Sequence, residues 1–171
     1  ALANGKRRIL VLEARTGHKP RFAGELLHPT GTQVLDDLGF LPTLRHHGGV
    51  DVDGFAVVKA LNIPVTRLPY AEIKNQRPTG FAMEHRDLVT GMREWAEKRP
   101  GVNFRFNEKV EEVLRNDQGR VNGVRTSTTT LRANLVLGCD GRHSKIRPLL
   151  GLNEEARLLS FSVAMRLPDG A

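Results

Sequence analysis

The chain has 171 residues, enough for one compact domain or for most of one and part of another, and its 39% hydrophobic content argues for a folded core rather than disorder. A net charge of +7, from 26 basic and 19 acidic residues, suits an anionic partner such as a phosphate-bearing cofactor, a nucleic acid or an anionic lipid. The bases are scattered and aromatics make up only 5%, too few for the base stacking of single-strand binding, so nucleic acid is disfavoured. No apolar run approaches bilayer-spanning length, and the lone Cys139 excludes an internal disulfide and a cysteine-based zinc site.

Near the amino end, Ala1–Arg7 reads as the tail of a helix with Gly5 as its C-cap, followed by basic residues leading into a strand. Arg8–Ala14 has an unbroken apolar core from Ile9 to Leu12 closed by Glu13, the pattern of a parallel strand buried on both faces. Arg15–Leu27 is a polar, glycine-punctuated stretch and reads as a long loop. Pro29 and Gly39 then bracket a helical pattern over Thr32–Leu38, while His46-His47 reads as loop beside Gly48-Gly49. Gly54–Leu61, Pro64–Pro69 and Gly80–Glu84, each bounded by Gly, Pro or Asn, predict antiparallel strands. His85–Lys98 carries Leu88, Val89, Met92, Trp95 and Ala96 at helical spacing and stops at Pro100-Gly101. Strands follow at Asn103–Phe106, Lys109–Arg115 and Arg120–Thr126, the last two joined by a turn at Asn116–Gly119. Leu135–Gly138 reads as a further buried strand, and Ser160–Leu167 begins another. Trp95, Phe104 and Phe106 read as core, and Cys139 as a small buried residue. The whole is α/β, a parallel nucleotide-binding sheet interrupted by antiparallel strands.

Three motifs carry chemistry. An acid closing a buried strand, as Glu13 does, accepts hydrogen bonds from ribose hydroxyls in dinucleotide-binding folds, where it follows a glycine-rich turn by about 20 residues. Only 12 residues precede Glu13, so the expectation is an internal piece of a longer protein, lacking the first strand and that turn. The second motif is Arg21–Pro29, RFAGELLHP, and the third is Leu135–Arg147, LVLGCDGRHSKIR, in which Asp140-Gly141 lets a carboxylate and a side-chain-free backbone approach a ligand.

In this order the motifs resemble those of the single-component FAD-dependent monooxygenases, the broad family of aromatic hydroxylases and squalene epoxidases. The resemblance implies a Rossmann-like FAD-binding fold, incomplete at both ends. Residues 1–159 would be the partial FAD-binding domain, 43–84 would contribute substrate-side strands, and 160–171 would begin a substrate domain. It implies cofactor contacts from Glu13, Arg21, Gly24, Glu25, Arg86, Asp140 and Gly141, with Arg21 and the Gly24-Glu25 backbone lining the flavin cleft. Arg86, otherwise a surface arginine paired with Glu84 or Asp87, would touch FAD from the start of its helix. Arg142, Lys145 and Arg147 would attract the phosphates of the reductant, NADPH or NADH, or else form a solvated basic patch.

The implied activity is hydroxylation or epoxidation of a small organic substrate, aromatic or isoprenoid, with dioxygen and NAD(P)H. Two other readings stay open: a flavin-dependent reductase or halogenase of the same superfamily, and a non-catalytic basic module that binds anions or a partner protein. A cytoplasmic location fits the cysteine usage, with peripheral membrane contact left open. No side chain stands out as a catalytic acid or base. The six histidines converge on no metal pattern, and His143 and Ser144 lie too close in sequence to form a hydrolase triad.

Overall fold

The computed structural model describes residues 2, 5–16, 24–59, 64–152 and 157–161. They fall into two compact units, one from Ala1–Ile9 and His18–Asn103, the other from Leu10–Gly17 and Phe104–Ala171.

The first unit contains the densest core. Strand β2 (Gly24–Leu27) pairs antiparallel with β6 (Gly80–Glu84), and β6 pairs on its other edge with β3 (Val50–Val52). Helix α1 (Pro29–Asp37), helix α2 (Leu41–His46) and helix α3 (His85–Glu97) join this sheet. Phe40, Leu41, Leu44, Phe81 and Met83 form the buried cluster, with Leu27, Leu35, Leu38, Leu88 and Trp95 packed around it. Gly49 is required where it sits, because a Cβ there would lie 2.3 Å from the Phe81 ring. A separate hairpin, β4 (Gly54–Val58) with β5 (Pro64–Pro69), leads into a single 3-10 turn at Tyr70–Glu72.

Trp95 stacks on Phe40 with ring centroids 4.0 Å apart, and its indole N–H donates to the Gly39 carbonyl at 3.2 Å. Trp95→Phe keeps the stacking and removes the bond. It should lower unfolding free energy by about 0.5–1 kcal/mol in chemical denaturation, and an unchanged midpoint would show that water replaces the indole at no cost.

Strand β1 (Ile9–Glu13), four of whose five residues belong to the second unit, pairs with β7 (Val102–Phe106). The backbone bonds Ile9 N–H to Gly101 and Glu108 N–H to Glu13 advance in the same direction along both segments, as parallel strands require. Strands β8 (Val110–Arg115), β9 (Val121–Thr126) and β10 (Thr130–Arg132) form an antiparallel meander, with the Asn116 side chain closing the β8–β9 turn through the amides of Gln118 and Arg120. Helix α4 (Ile146–Leu149) follows the Asp140-Gly141 loop. The mixed α/β class with parallel and antiparallel strands is as expected.

Several local expectations are corrected. The Arg15–Leu27 loop ends in strand β2, whose alternating exposure comes from pairing with β6. Residues 17–23 of that segment, 60–61 of the expected Gly54–Leu61 strand and 162–167 of the last one lie outside the described residues. His46 closes α2 and His47 caps it, so the pair belongs to a helix end. Leu135–Gly138 is neither a strand nor buried. No described strand pairs with it, and Leu135 and Leu137 are 68% and 56% exposed, because burial of an apolar run is conferred by neighbouring strands and not by its composition. Cys139, next in line, is likewise exposed.

Candidate functional site

Each unit carries part of the expected residue set. In the second unit, Glu13 ends β1 half-buried, and its Oε1 accepts the Arg15 N–H at 3.1 Å. This turn holds the carboxylate at the strand's carboxyl end. Its backbone carbonyl is taken by the Glu108 N–H at 3.0 Å, tying the strand end to the segment after β7.

The Asp140 loop is built around one carboxylate. Oδ1 accepts the Ser144 hydroxyl at 2.6 Å, and Oδ2 accepts the backbone N–H groups of Lys145 at 2.5 Å and Ile146 at 3.1 Å. Burial alone would raise the acid's pKa. The bonds from Ser144, Ile146 and Lys145 outweigh it and hold the group below its ordinary value of 3.8. Gly141 has φ 77°, the left-handed region that favours glycine, and a Cβ there would meet nothing within 4 Å. The backbone at Gly141 is thus open to a ligand. The Ser144 oxygen also accepts the Arg147 N–H at 3.1 Å, so this hydroxyl organises the loop rather than serving as a nucleophile. The Arg147 guanidinium donates to the Arg142 carbonyl at 2.5 Å.

In the first unit, Gly24 and Glu25 open β2, opposite Glu84 and Met83 of β6. The Glu25 carboxylate meets His85 Nδ1 at 2.5 Å, linking the start of β2 to the first residue of α3. Glu25 therefore has its side chain committed within the protein, leaving its backbone as the part available to a cofactor. Arg86 follows His85. Its Nε bonds Asp87 at 3.1 Å, as in the simpler of its two readings, and the side chain is 72% exposed. Arg21 lies outside the described residues.

Sequence reasoning overlooked three histidines. His28, His47 and His85 bond Tyr70, Glu94 and Glu25 respectively, across separations of 42, 47 and 60 residues. No local pattern announces such partners. Among the described residues no group of His, Cys, Asp or Glu could hold a metal ion, and no helix is long and apolar enough to cross a membrane.

Within the second unit, a carboxylate at a strand end can accept both hydroxyls of a ribose, and an open glycine lets backbone approach closely. Within the first, an exposed guanidinium can meet a carbonyl or anion. The chain belongs to the FAD binding domain family, whose model matches residues 3–169. It is 30% identical to mouse (Mus musculus) squalene monooxygenase over 175 residues, covering 98% of this chain and 30% of that protein. It resembles the crystal structure of a mutant of PqsL from P. aeruginosa with a TM-score of 0.78 at 25% identity, covering 89% of this chain and 41% of that one. For p-nitrophenol 4-monooxygenase PnpA from Pseudomonas putida the TM-score is 0.72 at 25% identity, over 84% of this chain and 37% of that one. The chain therefore spans well under half the length of the proteins it resembles.

Proposed function

We propose that the intact protein is an FAD-dependent monooxygenase that uses NADPH or NADH and dioxygen to hydroxylate or epoxidise a small organic molecule. The observation that carries this reading is the family match across residues 3–169, which includes both Glu13 and the Asp140-Gly141 loop. Relatives named as monooxygenases support it, among them the squalene enzyme, a 6-methylpretetramide 4-monooxygenase and PqsL, the last solved with 2-aminobenzoylacetate. Such names favour an isoprenoid or aromatic substrate. A cytoplasmic site of action, open to contact with a membrane surface, fits the single cysteine.

FAD would supply the redox and oxygen chemistry, and this chain's residues bind and orient it. Glu13 accepts the ribose hydroxyls. Arg21, the Gly24-Glu25 backbone and Arg86 line its cleft, and Asp140 shapes the loop that presents the Gly141 backbone. The substrate-side strands are those of residues 43–84. No described residue is needed as an acid or base for this division of labour.

The test is direct. Intact protein should purify yellow with a flavin absorption spectrum and should consume NAD(P)H faster when a substrate is added under air. A colourless protein that takes up no added FAD would leave the non-catalytic anion-binding alternative standing.

A further inference from the structure

We infer that Glu108 is a positioning residue of the cofactor site: its side chain, anchored on Thr128, locks the amide that holds Glu13 in place. This rests on the reading of Glu13 as the acceptor of the cofactor's ribose hydroxyls and adds to it a residue that acts through Glu13.

Glu13 is gripped twice. The Arg15 N–H takes its carboxylate at 3.1 Å, and the Glu108 N–H takes its backbone carbonyl at 3.0 Å. To meet both hydroxyls of a ribose, the carboxylate has to be held within about 0.5 Å of its place. The backbone grip is only as firm as Glu108 itself, and Glu108 is not free. Its Oε1 accepts the Thr128 hydroxyl at 2.7 Å, across 20 residues of sequence.

The far end of this anchor is rigid. In the turn between β9 and β10, the Thr126 hydroxyl oxygen accepts the N–H groups of Thr128 at 3.3 Å and of Thr129 at 3.0 Å. The Thr126 N–H in turn donates to the Thr129 carbonyl at 2.9 Å. Thr126 is 2% exposed, so water does not compete for these bonds. A fixed turn therefore holds Thr128, Thr128 holds the Glu108 carboxylate, and the Glu108 amide holds Glu13.

Two features of this corner work against stability and so point to another purpose. Asn107, between β7 and Glu108, has φ 58°, in the left-handed region that residues other than glycine seldom adopt. The bend sends the Glu108 amide toward β1 and its side chain toward the β9–β10 turn. The second carboxylate oxygen, Oε2, is buried and has no hydrogen-bonding partner among the described residues. Desolvating a charged oxygen without a partner is unfavourable, so an acid placed for stability alone would have both oxygens bonded or in water. Backbone strain and a desolvated charge together at the strand end that carries Glu13 fit a corner shaped by the cofactor rather than by folding.

The experiment is a double-mutant cycle on the intact protein, stripped of flavin and titrated with FAD by fluorescence. Glu108→Ala keeps the amide but releases it, and should raise the FAD dissociation constant roughly tenfold. In a Glu13→Ala background the same substitution should change that constant by less than about twofold, because no carboxylate is left to misplace. Glu108→Gln keeps an acceptor for Thr128 and should bind FAD within about threefold of the parent. Thr128→Val removes the anchoring hydroxyl but keeps the branched shape. It should lose part of the affinity with the same dependence on Glu13, and it serves if the alanine variant does not fold. Parental affinity in the anchor variants, an equal loss with and without Glu13, or a glutamine variant as weak as the alanine would each overturn the assignment. Parental FAD affinity in Glu13→Ala alone would instead overturn the ribose reading on which it rests.

Discussion

Glu13→Ala in the intact protein should weaken FAD binding by about 1.5–3 kcal/mol, roughly 10- to 150-fold in dissociation constant, through loss of charge-assisted hydrogen bonds to the ribose. The carboxylate is placed for this by its own strand, since Oε1 accepts the Arg15 N–H at 3.1 Å and the carbonyl is tied to Glu108. A variant of the remote β8 residue Arg115, whose guanidinium donates to the Gly119 carbonyl in a turn, should bind FAD as the parent does. Fluorescence titration of the apoprotein measures both. Equal affinities in the parent and the Glu13 variant would remove this residue from the site.

Asp140→Ala should have the larger structural consequence, because one carboxylate receives three bonds from its loop, from Ser144, Lys145 and Ile146. Without it those donors turn to water and the Gly141 backbone loses its fixed position. Flavin retention on gel filtration should fall, and reduction by NAD(P)H in stopped flow should slow. Asp140→Asn keeps an acceptor but loses the charge, so an intermediate phenotype is expected. An alanine variant that keeps its flavin and is reduced at the parental rate would make the Asp-Gly pair only a tight turn.

The sign of the pH response follows from the same bonds. A carboxyl held below its ordinary value of 3.8 in the fold stabilises the loop fully above that value. The contribution disappears as pH falls through the lowered folded pKa. Flavin release caused by this loop should therefore begin only in strong acid, and release whose midpoint lies near neutrality would have to come from another group.

Much of the architecture is legible from residue order. Gly, Pro and Asn bracket β5, β6 and the β8–β9 hairpin, and the spacing of Leu88, Met92 and Trp95 marks α3. Shorter elements escape because too few residues carry their period. Helix α2 has six residues, although Pro42 at its start and fully buried Leu41 and Leu44 three apart are a usable signal in retrospect. Strand β2 hides in a polar stretch because only pairing with β6 distinguishes it from loop.

Leu135–Gly138 errs in the opposite direction. Its composition is that of a buried strand, but composition supplies only the demand for neighbours. The candidate site divides in the same manner. Asp140 and its donors lie within six residues, so the motif announces them together. The contacts of Glu25 with His85 and of His28 with Tyr70 join residues 60 and 42 positions apart, which only the folded sheet brings together.

Cys139 immediately precedes the Asp140 loop and is exposed. It is the single thiol of this chain, so a maleimide dye or spin label can be attached there without removing any other cysteine from these 171 residues. A probe one residue from the carboxylate that holds the loop would respond to ordering of Gly141 on a microsecond-to-second clock. Cofactor arrival could thereby be timed separately from the colour of the cofactor itself.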